Sequence, residues 1–323
     1  MGNKLYIGID IGGTKSAVSL MDADGNLYER DEYPTTKGGD SWEPTVESLK
    51  SSVAGYLAGR RVESIGISCG GPLNRNAGLI LSPPNLPGWD EVPITSIFRQ
   101  AFKLPVYVEN DANAGALAEW KFGAGKGCRN LIFLTFGTGL GAGLILDGRL
   151  YTGTNDLAGE AGHVRLAEDG PLGYHRRGSF EGFCSGPGLA QLMVMEIDTL
   201  VDEAGQSAVT QKYKSFEEIT GRDVVEWSLA GDQLAIISVE KSGTYLGKGL
   251  AIMIDILNPE VVVVGSMGVR LGDLLLDPAR KVVASEALPA AAAICKIVPA
   301  ELGERIGDYS ALCVALSGGA AKS

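Results

Sequence analysis

The first 70 residues contain short apolar runs separated by clusters of glycine, aspartate and asparagine. This pattern predicts strands joined by tight turns. One stretch differs, because apolar residues recur at helical spacing from Val46 to Leu57. The chain therefore opens with an antiparallel meander, followed by a helix and a further strand. The predicted strands cover residues 5–11, 16–21, 27–33 and 63–68, and the predicted helix covers 42–59.

A strand, a glycine turn and a second strand return about 125 residues later in the chain. Strands are predicted over 130–136 and 141–146, around Gly137-Thr138-Gly139. The repetition predicts two related α/β halves packed side by side, with a cleft between them. Residues 72–90 are rich in Pro, Gly and Asn and predict a loop, while 151–188 predict an irregular segment. Further strands are predicted over 105–108, 260–265 and 294–298, and helices over 111–122, 229–257 and 309–316.

Composition limits what these two halves can do. The chain has 323 residues, enough for about two domains, and its 45% hydrophobic and 21% charged residues argue against disorder. A net charge of -11 disfavours general binding to nucleic acid or anionic membranes, because both require a surplus of Lys and Arg. It does not exclude a small anionic ligand held by backbone N–H groups. No apolar run reaches the ~18 residues that a membrane-spanning helix needs.

The cysteines and the first residues of the chain favour a reducing compartment. Five cysteines are scattered along the sequence without a CxxC pair, so neither a disulfide framework nor a zinc ribbon is indicated. The sequence from Met1 to Asp10 has no signal-peptide core. We therefore expect a cytoplasmic protein.

The first glycine loop is suited to phosphate and magnesium. Asp10 ends a predicted strand and is followed by Gly12-Gly13-Thr14-Lys15, so backbone N–H groups can turn toward an anion while the carboxylate holds a magnesium ion. The glycine spacing matches neither a Walker A loop nor a dinucleotide fingerprint. A hairpin turn that simply requires glycine is an equally good interpretation. The second loop, 137–143, has four alternating glycines and leaves the same two alternatives open.

Asp111 lies where a strand meets a helix, in Glu109-Asn110-Asp111-Ala112-Asn113. One interpretation makes it a general base, which must come within about 2.6–3.2 Å of the hydroxyl it deprotonates. The other makes it the N-cap of the helix, a role worth about 0.5–2 kcal/mol that the spacing alone favours. The two interpretations need not compete if Asn110 or another group caps the helix.

Three other segments carry polar or glycine residues without a specific motif. A pair such as Glu160 and His163 is more often a local hydrogen bond than a binding site, and Glu181 is unremarkable by itself. Asn258-Pro259-Glu260 predicts a helix stop, and the buried strand after it leads to Gly265-Ser266-Met267-Gly268. Ligands of α/β sheets bind beyond the carboxyl ends of strands, so this loop could admit a flat base such as adenine. A strand-to-helix turn is equally consistent with it.

Together these residues resemble the ROK family of sugar kinases and repressors, within the actin–hexokinase–Hsp70 superfamily. The resemblance extends from Ile7 to about Leu316. It implies an α/β, two-lobed actin-like ATPase (ribonuclease H-like) fold with a cleft between the lobes. The implied N-terminal lobe covers 1–115, completed by the C-terminal helix at about 305–323, and the C-terminal lobe covers 116–304. The motifs that carry the resemblance are residues 10–15, 82–89, 109–113, 137–143, 159–163 and 258–260.

The resemblance also implies an activity, namely transfer of the γ-phosphate of ATP to a hexose hydroxyl, usually on C6, with magnesium. Asp111 would be the base, and Asp10 would serve magnesium. Glucose is the favoured sugar, ahead of fructose, mannose, N-acetylglucosamine, N-acetylmannosamine and allose, and a homodimer without nucleic-acid or membrane partners is expected. The implied sugar contacts are Gly70, Asn85, Asn110, Asp111, Glu160, His163 and Glu181. The implied nucleotide contacts are Asp10, Gly12, Gly13, Thr14, Lys15, Gly137, Thr138, Gly139, Gly265 and Ser266.

One segment departs from the family pattern. Relatives often carry a Cys-x-Cys-Gly-x-x-Gly-Cys-x-Glu zinc segment, with the preceding histidine as the fourth ligand. Leu172, Tyr174 and Ser179 stand at the three thiolate positions, so we expect no structural zinc. The glutamate is kept as Glu181, and how His163 is held without a metal stays open. Ser266 is a smaller departure, because relatives tend to have glycine there.

Two other functions within the same family stay open. A sugar-responsive transcription regulator would place a helix-turn-helix domain ahead of the glycine loop, and only six residues precede Ile7, so we expect an enzyme instead. A kinase-like sugar-binding protein without catalysis would be favoured by loss of Asp10 or Asp111, and both are present.

Overall fold

The chain folds into two compact units in the computed structural model, which describes residues 3–36, 42–204, 213, 215 and 218–318. Unit 1 comprises Met1–Gly127, Leu150–Leu157 and Glu301–Ser323, and unit 2 comprises Cys128–Arg149 and Ala158–Ala300. The chain enters unit 2 at Cys128. It also returns once to unit 1 before the C-terminal segment.

Both units contain helices and strands. The strands are β1 (Leu5–Ile11), β2 (Lys15–Asp22), β3 (Leu27–Pro34), β4 (Val62–Cys69), β5 (Leu73–Asn74), β6 (Leu79–Ile80), β7 (Val106–Asn110), β8 (Leu131–Phe136), β9 (Leu140–Leu146), β10 (Arg149–Tyr151), β11 (Leu172–Gly173), β12 (Arg176–Arg177), β13 (Val261–Val264) and β14 (Lys296–Pro299). The helices are α1 (Glu43–Leu57), α2 (Ile94–Phe102), α3 (Asp111–Phe122), α4 (Phe180–Phe183), α5 (Gly186–Ala204), α6 (Gly221–Leu229), α7 (Gln233–Leu257), α8 (Met267–Leu271), α9 (Asp273–Glu286), α10 (Pro289–Ala292) and α11 (Ile306–Ser317). Among the described residues, no helix combines the length and the apolar character needed to cross a membrane.

A five-stranded sheet organises unit 1, in the order β3-β2-β1-β4-β7. β1, β2 and β3 are antiparallel neighbours, whereas β4 and β7 run parallel to β1. α1 buries Val46, Leu49 and Val53 in the core that it shares with the sheet. α11 packs directly on β1 and β4, and this approach requires glycine, because a Cβ on Gly66 would overlap the carbonyl oxygen of Ala311.

Unit 2 repeats this plan with a sheet in the order β10-β9-β8-β13-β14. β8 and β9 are antiparallel, and β13 and β14 run parallel to β8. In each sheet the first two strands are joined by a short glycine turn, residues 12–14 in unit 1 and 137–139 in unit 2. The long helix α7 packs against α5, α6 and α9. The predicted repetition of strand, glycine turn and strand is therefore confirmed.

Several elements differ from those predicted. Residues 72–90 are not all loop, because β5 and β6 pair as a small hairpin. Helices α2 and α9 lie where the sequence pattern predicts no element. The helix predicted over 229–257 is confirmed as α7, but it begins at Gln233, because Leu229 is the last residue of α6. Gly231 adopts φ +89° in the turn between the two helices, and the Asp232 side chain caps α7 by accepting the N–H groups of Leu234 and Ala235.

Candidate active site

Three parallel strands of unit 1 bring predicted site residues to one edge of its sheet. The register places Asp10 of β1 beside the last residues of β4, and the end of β4 beside Asn110 of β7. Asp10, Gly70 and Asp111 therefore lie at adjacent strand ends. This is the edge at which open α/β sheets bind their ligands.

Asp10 lies in a strongly negative environment. Its pKa is raised from an ordinary value of 3.8 to about 6, first by burial and then by the negative charges of Asp111 and Asp308, while a hydrogen bond with Ser68 opposes the shift. Gly307, in the first turn of α11, lies so close that a Cβ would overlap the Asp10 carboxylate. Helix α11 thus encloses the carboxylate, and a nearby cation would relieve its charge.

The donor set at this edge fits magnesium. Asp10 offers carboxylate oxygens, and Mg²⁺ is commonly held by one or two carboxylates together with substrate phosphates. A divalent cation would also compensate the charge that raises the Asp10 pKa. Within the described ranges, no group of three or more His, Cys, Asp or Glu side chains could hold a metal ion. The residues therefore suit a magnesium ion shared with a phosphate ligand rather than an all-protein metal site.

Asn110, and not Asp111, caps helix α3. The Asn110 side chain accepts the backbone N–H of Asn113 at 2.7 Å, so the N-cap interpretation that spacing favoured for Asp111 is wrong. Asp111 is the first residue of the helix and is exposed. A carboxylate there is stabilised by the helix dipole and does not have to cap the helix. Its position is compatible with the role of a base.

Asn85 brings part of the phosphate loop and part of the predicted sugar set together. A Cβ built on Gly13 would lie 2.7 Å from the Asn85 carbonyl oxygen, and one built on Gly70 would lie 3.2 Å from Asn85 Nδ2. Gly13 therefore has to be glycine against the Asn85 backbone, and Gly70 packs against the Asn85 side chain. Three of the predicted residues are immediate neighbours in unit 1.

The glycine turn of unit 1 presents its backbone. The Gly12 N–H donates to the Lys15 carbonyl at 3.1 Å, and the Thr14 carbonyl accepts the N–H of Thr35 at 3.0 Å. Lys15 Nζ lies 3.1 Å from a carboxylate oxygen of Glu32 on β3. The Lys15 side chain is thus paired on the strand surface, and the backbone N–H groups are the part of this turn best suited to phosphate.

The glycine turn of unit 2 is held from two sides. The Gly137 carbonyl accepts the N–H of Gly186 at 2.7 Å, and the N–H of Leu140 donates to Glu181 Oε2 at 3.0 Å. Gly139 lies against the same carboxylate, because a Cβ built on it would be 2.7 Å from this Glu181 oxygen. Thr138 is exposed at the tip. The turn is therefore a fixed loop with one exposed threonine between two glycines.

The two turns differ in the residue that precedes them. Asp10 and Thr135 are each the penultimate residue of the strand before the turn. The Thr135 hydroxyl accepts the N–H of Gly141 at 2.9 Å and so binds its own hairpin. The repeated structure therefore supplies a carboxylate at this position in unit 1 and a hydroxyl in unit 2.

The predicted adenosine segment follows β13. The Gly265 N–H donates to the Leu134 carbonyl at 2.9 Å, and α8 begins at Met267, so the predicted loop 265–268 is partly helical. Ser266 adopts φ +40° and ψ −91°, a conformation that favours glycine. A Cβ on Gly137 would lie 3.7 Å from Ser266 Oγ. Ser266 therefore adjoins the glycine turn of unit 2.

His163 is supported by an aromatic contact. It ends a short 3₁₀ helix, Ala161–His163, and its Nε2 lies 3.8 Å from a carboxylate oxygen of Glu160. The ring of Tyr174 meets the imidazole edge-on, with centroids 4.5 Å apart and planes at 73°. Tyr174 is one of the residues at the thiolate positions of the family zinc segment, and here it packs against His163.

The segment around Tyr174 is held by hydrogen bonds. β11 and β12 form a two-stranded hairpin, and Tyr174 and His175 turn it with φ +45° and +64°. The Ser179 hydroxyl donates to the Gly173 carbonyl at 3.2 Å and accepts the N–H of Gly182 at 3.0 Å, so it also caps α4. Residues at two of the thiolate positions thus have structural roles of their own.

A part-buried ion-pair network around Arg75 was missed from the sequence. Arg75 Nη1 donates to Glu109 Oε2 at 2.9 Å, and Arg75 Nη2 donates to Asp156 Oδ1 at 2.6 Å. Glu109 Oε1 accepts the backbone N–H of Asn110 at 3.1 Å. The network therefore fixes the turn that presents Asp111. No local pattern signals Arg75, because its partners are 34 and 81 residues away in the chain.

Comparisons with known proteins identify the family of the chain. The sequence model of the ROK family matches residues 6–317. A glucokinase of Streptomyces coelicolor is 33% identical over 309 residues, covering 94% of this chain and 95% of the glucokinase. A xylose repressor of Caldicellulosiruptor bescii is 31% identical over 320 residues, covering 96% of this chain and 78% of the repressor.

A solved structure is similar over nearly the whole chain. It is a ROK family glucokinase from Streptomyces griseus in complex with glucose and AMPPNP, with a TM-score of 0.77 and 32% sequence identity, covering 97% of this chain and 99% of that one. The family match, the relatives and this similarity point to one conclusion. The chain belongs to the ROK family and has the two-lobed actin-like ATPase fold of its sugar kinases.

Proposed function

We propose that this protein is an ATP-dependent, hexokinase-type sugar kinase that transfers the γ-phosphate to the C6 hydroxyl of a hexose, with glucose as the favoured acceptor. The observation that carries the proposal is the placement of Asp111. It is an exposed carboxylate at the start of α3, released from capping by Asn110, and its charge acts on Asp10. The glucokinase relatives and the glucose and AMPPNP complex of a similar protein support the same activity.

Asp111 acts as the base in this proposal. A sugar hydroxyl is a weak nucleophile, and an aligned carboxylate that accepts its proton favours attack on the phosphorus. Unit 1 further supplies Gly70, Asn85 and Asn110. The side-chain N–H₂ of Asn110 can donate to a sugar hydroxyl while the oxygen of the same amide caps α3. Polar groups that bind sugar hydroxyls also penalise analogues that lack them.

Unit 2 supplies the remaining proposed sugar ligands. Glu160 and Glu181 accept from hydroxyl groups, and His163 is oriented by the Tyr174 ring for the same purpose. The aromatic contact replaces a bond to a metal in fixing the imidazole.

The nucleotide is held mainly by backbone groups in this proposal. Asp10 would hold magnesium, with Asp111 nearby, and the ion would supply positive charge that compensates the transferred phosphate. The turns 12–15 and 137–139 direct N–H groups at the phosphate chain. Gly265 and Ser266 lie near the adenosine. Positioning and charge compensation are the main requirements of phosphoryl transfer, so these groups suffice without a covalent step.

A hexose panel tests the proposal. The purified protein is incubated with ATP, MgCl₂ and one sugar at a time, namely glucose, fructose, mannose, N-acetylglucosamine, N-acetylmannosamine or allose, and ADP is measured by a coupled assay. We expect ADP release that depends on a hexose and is fastest with glucose. ADP formation that no hexose stimulates would contradict the proposal.

A sugar-responsive regulatory protein is the second candidate. The similarity to a xylose repressor, which is nearly as high as that to the glucokinase, favours considering it. Such a protein would bind a sugar without turning it over. Isothermal titration with the same sugars, in parallel with the ADP assay, separates the two functions.

A further inference from the structure

Glu181 contacts more than the predicted sugar set. Its Oε2 accepts the backbone N–H of Leu140 at 3.0 Å, and Leu140 directly follows the glycine turn 137–139. The carboxylate also lies against the turn, because a Cβ built on Gly139 would be 2.7 Å from Glu181 Oε2. An anionic acceptor on a backbone N–H forms a stronger hydrogen bond than a neutral one. The position of Leu140, and with it the end of the turn, therefore depends on Glu181.

The Glu181 side chain is itself held firmly. It is the second residue of α4, whose first turn is capped by Ser179, and the Phe180 N–H donates to the Val164 carbonyl at 2.7 Å. A Cβ on Gly162, the residue before His163, would lie 3.2 Å from Glu181 Cβ. The base of the side chain is thus wedged between α4 and the segment that carries His163. This packing fixes the position of the Glu181 carboxylate.

The second carboxylate oxygen is available for another ligand. Glu181 is half-buried, and Oε1 makes no hydrogen bond with any residue that the structure describes. A carboxylate has about four acceptor sites, so one bond to Leu140 leaves capacity for a sugar hydroxyl.

We propose that Glu181 is a positioning residue for the nucleotide as well as a sugar ligand: Oε2 sets the glycine turn that receives the phosphates, while Oε1 accepts from the sugar. This inference rests on the proposed function and adds a direct link between its two ligands. A sugar that fixes the carboxylate also fixes the turn, so sugar and nucleotide bind more tightly together than alone. By thermodynamic linkage each ligand increases the affinity of the other by the same factor.

Direct binding measurements test this coupling. The dissociation constant of AMPPNP with MgCl₂ is measured by isothermal titration, without sugar and at saturating glucose, for the wild-type chain, Glu181→Ala and Glu181→Gln. Glu160→Ala is the matched control, because that predicted sugar ligand lies beside His163 and not on the glycine turn. Thermal unfolding of each variant establishes that it is folded.

We expect Glu181→Ala to weaken AMPPNP binding about tenfold even without sugar, because Leu140 loses a charged acceptor. Glu181→Gln keeps an acceptor oxygen, so its AMPPNP affinity without sugar stays within about threefold of wild type, while saturating glucose no longer increases it. Glu160→Ala weakens glucose binding and leaves AMPPNP binding without sugar unchanged.

Two results would overturn the inference. In one, folded Glu181→Ala binds AMPPNP as the wild type does and loses only glucose affinity. In the other, Glu181→Ala does not fold and Glu181→Gln retains the full effect of glucose on AMPPNP. If the wild-type chain binds neither AMPPNP nor any hexose, the proposed function itself is wrong. That result concerns the wild type and is therefore distinguishable from the two results for the variants.

Discussion

Replacing Asp10 with asparagine should stabilise the protein while removing its ability to hold magnesium. The folded chain encloses the Asp10 carboxyl near Asp111 and Asp308, and its pKa is raised from 3.8 to about 6. Ionising this group therefore opposes folding. Asparagine has nearly the same shape, can keep the hydrogen bond with Ser68 and carries no charge.

The raised pKa of Asp10 sets the size of this effect. Between pH 4 and 6, approximately, the folded state keeps a proton that the unfolded chain has released, so the unfolding free energy falls as the pH rises. A shift from 3.8 to about 6 corresponds to about 3 kcal/mol in total. Above about pH 6 the full penalty is present, and below about pH 4 it vanishes. The variant should therefore be more stable than wild type by about 3 kcal/mol at pH 7.5, and by little near pH 4.

Urea unfolding followed by circular dichroism at several pH values, in EDTA, measures this difference. Asp24→Asn is the matched control, because Asp24 is an exposed aspartate of the same unit, and its substitution should change stability little at any pH. Adding MgCl₂ and AMPPNP should then stabilise the wild type more than Asp10→Asn. Equal stability of Asp10→Asn and wild type at pH 7.5 would refute the electrostatic argument.

Two further substitutions test the surroundings of the site. Arg75→Met should lower the unfolding free energy, measured by urea unfolding, by about 3–5 kcal/mol, because it leaves the carboxylates of Glu109 and Asp156 without their counter-charge. Adding Glu109→Gln should restore part of the loss. Unchanged stability of Arg75→Met would contradict the role given to the network. Ser266→Gly should raise the unfolding free energy by about 1 kcal/mol, because glycine adopts φ +40° without steric strain. A lower melting temperature of this variant would show that the serine side chain stabilises the fold by more than its backbone strain costs.

The parts of the fold predicted correctly are those that local sequence determines. The glycine turn at residues 12–14 is flanked by short apolar runs, and it occurs in the structure where the pattern places it. The same holds for the turn at 137–139. Strand pairing then follows from the order of elements, because a three-residue turn permits only an antiparallel neighbour. The repetition of strand, glycine turn and strand in the two units is predicted correctly because each copy is determined by local sequence.

The predictions that failed depend on competition between neighbours or on distant contacts. Asn110 and Asp111 are both favoured N-cap residues, and spacing does not determine which of them takes the position. The network of Arg75 and the bond from Leu140 to Glu181 join residues that are 34 or more positions apart. Such contacts depend on the packing of the whole unit, and no periodicity of the sequence predicts them.

The kinetic effect of Asp111→Asn tests the central claim most directly. With ATP, MgCl₂ and the hexose preferred by the wild type, we predict that kcat falls by about 10²–10⁴-fold while the melting temperature and the sugar dissociation constant stay close to those of the wild type. The helix should remain intact, because Asn110 provides the cap. A variant that phosphorylates the hexose within a few-fold of the wild-type rate would show that Asp111 is not the base.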